Sequence, residues 1–232
     1  LELAGDERIQ EYPPRGMTHP DGVGTAPNDT AKNITYIEGH GEFKASASLR
    51  SRQDVDYDGH QPYNAFDYAG VNGNLDYTSG SFLIYGPGSG ESVGYNKTTG
   101  YFEDNNYQLS ASSGTPYGHW LQLEMPYKIN IKSYFIEHVA DDYWPQDWQI
   151  WASNDDNNWT HIHTYIGGTY DNDPQYYTVA HTGHYKIYTM IVTRIKEGSS
   201  LDRLRIQELR FFGTPASLGT TWIRKPLGRR SC

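Results

Sequence analysis

Apolar and polar residues alternate with a period of two through most of the second half of this chain. Leu121, Leu123 and Met125 share one phase; Ile129, Ile131 and Phe135 share the next; Trp148, Ile150 and Ala152 follow, then Ile162, Thr164 and Ile166. Between Tyr185 and Ile195, Tyr185, Ile187, Ile191 and Ile195 fall in one phase and Lys186, Tyr188, Arg194 and Lys196 in the other. Successive Cβ atoms of a strand point to opposite faces, so short alternating runs broken by turn formers predict an antiparallel sandwich or jelly roll. No segment sustains a 3.6-residue period, and no amphipathic helix is expected. In Asn154-Asp155-Asp156-Asn157-Asn158 the side chains can bond their own backbone, which predicts a tight reversal before Trp159 leads the next strand back.

The first half is less regular. Phe43 to Ser48 alternates and reads as a strand, whereas residues 68–118 are rich in Gly, Ser, Asn and Tyr and read as long loops. Residues 1–35 carry Pro13-Pro14, Pro20, Asp21-Gly22 and Pro27-Asn28-Asp29 with no sustained period, which predicts an extended arm.

Composition narrows the classes. The apolar share of 36%, with 24 glycines beside it, is enough for a core, and the 20 Tyr and 6 Trp suit both half-buried pleated surfaces and contact faces. The net charge is −9, but Arg224, Lys225, Arg229 and Arg230 stand at the C-terminus, so the rest of the chain carries −13. An acidic body argues against nucleic acid, because phosphate neutralisation needs a basic face. The basic tail could instead dock on a neighbouring copy. Cys232 is the only cysteine, so packing or metal ions must stabilise the fold rather than an intrachain disulfide. No run of about 18 apolar residues is present, so no inserted membrane helix is expected. The start at Leu1, with no signal-like segment, leads us to expect a processed chain or a piece of a larger product.

The run from His119-Trp120-Leu121-Gln122-Leu123-Glu124 through Asp147-Trp148-Gln149-Ile150-Trp151-Ala152-Ser153-Asn154 to Gln207-Glu208-Leu209-Arg210-Phe211-Phe212-Gly213 resembles the discoidin family, also called coagulation factor V/VIII C-type modules. Phe43–Ser48 and Tyr63-Asn64-Ala65-Phe66-Asp67 match its opening elements. The resemblance implies an all-β jelly roll of the galactose-binding type over residues 36–214, with arms at 1–35 and 215–232, and an extracellular binding module rather than an enzyme. It makes Trp148, Trp151 and Trp159 at least partly structural. It also implies a structural Ca²⁺ on the Asp of the Ala-Phe-Asp element and the Glu of the closing strand, matching Asp67 and Glu208. The family commonly has Gly after that Asp, where this chain has Tyr68.

Several constellations could carry chemistry. Asp54-Val55-Asp56-Tyr57-Asp58-Gly59 places alternate carboxylates before a glycine, as calcium loops do, but the twelfth position is Ala65, so it is not an EF-hand. A solvated acidic tip is the plainer reading. His161-x-His163 would share one strand face and His181-x-x-His184 brackets a turn, yet neither has a third ligand at a defined spacing. Tyr143-Trp144-Pro145 lies in a loop before the Trp148 strand, where rings can stack on sugars, anchor a protein contact or plug the barrel end; Tyr68, Tyr165 and Tyr170 are further candidates. Asn28, Asn33, Asn96 and Asn158 head N-x-S/T sequons, which would carry glycan only in a eukaryotic secretory context. No nucleophile elbow, phosphate-binding loop, Rossmann fingerprint or His-Glu-x-x-His motif occurs.

Two functions from different classes follow. The first is a non-enzymatic structural subunit of an extracellular or virion-surface assembly, a filament, fibre or capsid decoration, whose arms clasp copies of itself by strand addition. The second is a glycan-binding adhesion module at the cell surface, alone or within a larger secreted protein.

Overall fold

The computed structural model describes residues 8–18, 32–49, 60–69, 81–84, 93–110, 114–137, 144–167, 175–198 and 203–216. The strands, in chain order, are β1 (Gln10–Tyr12), β2 (Asn33–Ile37), β3 (Gly41–Ala47), β4 (Phe82–Ile84), β5 (His119–Glu137), β6 (Pro145–Ser153), β7 (Trp159–Tyr165), β8 (Gln175–Thr178), β9 (Tyr185–Ile195), β10 (Leu204–Ile206) and β11 (Glu208–Pro215). One 3₁₀ turn, Pro62–Phe66, packs on β3 and β11. All pairings between these strands are antiparallel, and the architecture is an antiparallel β-sandwich of the jelly-roll kind.

The 19-residue β5 belongs to both layers. Its first half lies between β3 and β9, with Leu123 opposite both Ala45 and Tyr188, and its second half pairs with β11 and β8, with Phe135 opposite both Arg210 and Tyr176. The register breaks between Glu124 and Ile129, where Pro126 lacks an N–H for the ladder. One layer therefore runs β2-β3-β5-β9-β6-β7 and the other β1-β11-β5-β8.

Between the layers, Phe43, Leu121, Leu123, Met125, Trp148, Ile150, Tyr188, Met190 and Val192 meet Tyr12, Ile129, Ile131, Tyr134, Ile136, Leu209 and Phe211. The alternation at Leu121–Met125 and Trp148–Ala152 thus points inward as its phase predicts. Two runs differ. In β9 the interior phase is Tyr188, Met190 and Val192, while Ile187 and Ile191 lie on the outer face with Trp151 and Trp159 under Leu109 and Trp120. A sheet covered on both faces has no polar phase to reveal which side is inside. In β7 a bulge opposite Ile150 and Trp151 shifts the phase, so Thr164 and Ile166 are exposed.

The segment expected to be an extended arm is in part a strand. Gln10–Tyr12 adds to the edge of β11, with Tyr12 opposite Phe211, and Tyr12 and Met17 are buried. Thr18 then bonds Thr35 on β2: its N–H donates to Thr35 Oγ1 at 3.2 Å, and that hydroxyl donates to its carbonyl at 3.1 Å. The reversal at 154–158 is an Asx turn, with Asp155 Oδ1 accepting from the N–H groups of Asn157 and Asn158 and Asp156 at φ 63°.

Candidate functional site

One end of the sandwich is built around the last residues of β9. His119 at the start of β5 stands opposite Val192, and Asp147 near the start of β6 stands opposite Arg194. The turn 96–101 docks beside them through a bridge between Tyr101 and Arg194, with Ile195 N–H donating to Gly100 O at 2.9 Å. Asn96 shapes that turn by accepting from Thr98 and Thr99 N–H. Gly100 has φ +76°, and a Cβ there would lie 2.1 Å from Ile195 O, so only glycine permits the approach. After β7, Gly167 N–H donates to Asp147 Oδ1 at 2.7 Å.

Arg194 sits at the centre of this end. Its Nε donates to Thr99 O at 3.0 Å, Nη2 donates to Glu197 at 2.9 Å, and Nη1 lies 3.8 Å from Asp147 Oδ2. The guanidinium lies 4.7 Å from the centroid of the Tyr101 ring, at cation–π distance. Beside it is Tyr101, 50% exposed; Tyr117, 42% exposed, and Ile166, 74% exposed, precede Gly118 and Gly167, which respectively pack on Val192 O and bond Asp147. These are three of the seven large apolar side chains exposed among the described residues. Tyr117 precedes Gly118, which packs against Val192 O, and so shares this end.

The aromatic residues singled out from sequence are mostly placed elsewhere. Trp144 is at this end but only 5% exposed, and its carbonyl accepts Lys196 N–H, so its ring is not open to a ligand. Tyr165 stacks on Trp148 at 4.4 Å and meets Tyr177 edge-on at 4.7 Å, closing the seam between β7 and β8. Tyr68 has φ 66°, donates its hydroxyl to Pro13 O and lies 4.0 Å under the Arg210 guanidinium. Tyr143 and Tyr170 lie outside the described residues. Sequence reasoning missed Tyr101, Tyr117, Arg194 and Glu197; the one available signal was the turn chemistry of Asn96 to Gly100.

Of the expected calcium ligands, Asp54, Asp56 and Asp58 lie outside the described residues, while Asp67 and Glu208 are brought within hydrogen-bonding reach of each other. Burial pushes the Asp67 carboxyl up to about 6, against the lowering influence of Ala69 N–H, Glu208 and Arg210. Arg210 supplies positive charge to the cluster, with Nη1 2.9 Å from Glu11 and Nε 3.4 Å from the fully buried Glu208. Two carboxylates are fewer than the six to eight oxygens calcium takes, so carbonyls or water would have to complete the shell. Among the described residues no group of three or more His, Cys, Asp and Glu could hold a metal.

Among the described histidines, His119 and His163 are tied into the packing. The β7 bulge separates His161 from His163: His161 meets Trp151 and Thr164 outside, whereas His163 Nδ1 lies 2.7 Å from the Tyr134 hydroxyl inside. Burial, then the neighbouring His161, holds the His163 pKa down. His119 is buried between Ser48 Oγ at 2.8 Å and Val93 O at 2.7 Å. As for the sequons, Asn158 is exposed in the Asx turn, Asn96 is half-buried, and Asn28 lies outside the described residues. Asn33 is corrected: it is 2% exposed and its Oδ1 accepts Tyr63 N–H, a packing incompatible with a glycan.

No protein-family model matches the chain, and no curated protein matches it. Solved structures do resemble it. The C-terminal domain of a chitobiase from Bacteroides fragilis is 13% identical, with 79% of this chain and 99% of that one covered and a TM-score of 0.47. A family 32 carbohydrate-binding module of NanJ from Clostridium perfringens, in complex with galactose, is 11% identical over 73% and 93%, at 0.46. A chitosan-binding module of a chitosanase/glucanase from Paenibacillus sp. IK-5 is 16% identical over 81% and 100%, at 0.46. At these identities the likeness is one of fold.

Proposed function

We propose that the chain is a non-catalytic carbohydrate-binding module working outside the cell or at a cell surface, with its ligand seated at the end of the sandwich around Tyr101. The observation that carries this reading is the half-exposed Tyr101 ring against a fixed Arg194, with the exposed Tyr117 and Ile166 on segments that pack at the same end of the sandwich. A pyranose has a hydrocarbon face rimmed by hydroxyls. An aromatic ring covers the first at low entropic cost and neighbouring polar groups read the second. The acidic body and the absence of any helix among the described residues long enough to cross a membrane are in keeping with this role.

Isothermal titration of the full chain against an oligosaccharide identified on a glycan array tests it. Tyr101→Ala is expected to weaken binding about tenfold or more, the loss typical of a contact worth over ~1.4 kcal/mol. Unchanged affinity in both Tyr101→Ala and Tyr117→Ala overturns the assignment. Calcium bridging Asp67 and Glu208 belongs to the same proposal as a clamp on the fold. Excess EDTA should lower the thermal midpoint, and an unmoved midpoint removes the ion from the account.

The assembly reading is carried less far. Strand addition by Gln10–Tyr12 is made to the chain's own β11, and the outer parts of both arms lie outside the described residues.

A further inference from the structure

We infer that the site at Tyr101 selects uncharged sugars and rejects acidic ones, with Glu197 as the residue that decides; this rests on the carbohydrate-binding reading above. The guanidinium of Arg194 has donors in excess of its partners. Its Nε–H is spent on Thr99 O and one Nη2–H on Glu197, but Nη1 is 3.8 Å from Asp147, beyond hydrogen-bonding distance, and it has no hydrogen-bond partner among the described residues. The side chain is mostly buried, at 17% exposed, whereas that of Glu197 is 63% exposed. A ligand that reaches the guanidinium beside Tyr101 therefore meets a held donor, Arg194, and an acceptor bonded to it, Glu197. The charge it meets most directly is negative.

A hydroxyl suits that pair because it accepts and donates at once. One sugar hydroxyl can take a hydrogen bond from Arg194 Nη1 and give its own proton to Glu197, and each bond polarises the other. A carboxylate or sulfate has no proton to give and would set like charges together. Arg194 does not reverse this at close range, because two carboxylates, Asp147 and Glu197, already lie within 4 Å of its guanidinium. The net −13 of residues 1–221 acts in the same direction at longer range.

The test uses the full chain and glycan pairs that differ only in charge: lactose against 3′-sialyllactose, and methyl-esterified oligogalacturonate against the free acid. The neutral member of a bound pair is expected to bind at least tenfold more tightly. Glu197→Gln, which keeps the shape and removes the charge, should shrink that ratio toward one and flatten its dependence on salt. Glu197→Ala should also lose about tenfold for the neutral sugar. Preference for the acidic member, or a ratio unchanged in Glu197→Gln, overturns the inference while binding that still depends on Tyr101 leaves the parent reading standing. Absence of binding to every glycan of the array, neutral or acidic, by the unaltered chain overturns both.

Discussion

At the scale of single residues, the tyrosines divide by where their hydroxyls go. Tyr134 is buried, accepts from Trp148 Nε1 at 2.9 Å and lies 2.7 Å from His163; burial holds its proton on well above the ordinary phenol range. Tyr188 donates to Ile129 O at 2.7 Å across the two halves of the sandwich. These are core tyrosines whose polar tips are satisfied, and composition alone cannot tell them from Tyr101. Tyr134→Phe leaves Trp148 Nε1 buried without its acceptor, at a cost of about 1–3 kcal/mol in urea-unfolding stability. Loss below ~0.5 kcal/mol would show that the indole finds another partner.

At the scale of elements, the sheet is tied to the segment before β2 by charge. Lys32 Nζ lies 2.6 Å from Glu124, and Lys44 Nζ lies 3.3 Å from its other oxygen. Burial works to raise the Glu124 pKa, but the two lysines outweigh it and hold the carboxyl below its usual value. A depressed carboxylate stabilises above the unfolded-state pKa, and the stabilisation is lost as pH falls through the folded value. Because the pair is partly exposed, its worth is about 0.2–1 kcal/mol. The stability difference between the unaltered chain and Glu124→Gln should thus hold at neutral pH and fade below about pH 4, the ordinary carboxylate range; a difference constant from pH 3 to 7 contradicts the ion pair.

Elements also show what was legible beforehand. The inner phase of β6, that of β5 from Leu121 to Met125 and the turn at 154–158 could be read from residues alone, since one-sided burial and Asx chemistry are local; the second half of β5 could not, because a register shift moves the interior phase to Tyr134 and Ile136. The phase of β9 could not, because Leu109 and Trp120 cover its outer face and both faces are apolar. Nor could β7, where a bulge sends His161 and His163 to opposite sides.

At the scale of the whole molecule, the N-terminal segment matters more than its turn-rich sequence suggests. Tyr12 and Met17 sit in the main core and Arg210 bonds Glu11 from the neighbouring strand. Removing residues 1–7 should leave the melting curve in place, while removing 1–18 should cost several kcal/mol, on the order of the ~2–5 kcal/mol for truncating one large core side chain. Equal midpoints for the two truncations would mean that β1 is dispensable.

The sequence by itself determined that this chain is all β, which runs cross the core, and that its body is acidic, because periodicity and charge are properties of neighbours along the chain. It also placed Asp67 and Glu208 as partners through resemblance. Only the tertiary structure decided which aromatic rings face water. Trp144 and Tyr165 are drawn inward by packing from strands distant in sequence, while Tyr101 is held at the surface because Gly100 lets its turn close on Ile195. Exposure is settled by what lies across a long-range contact, and no local pattern encodes that.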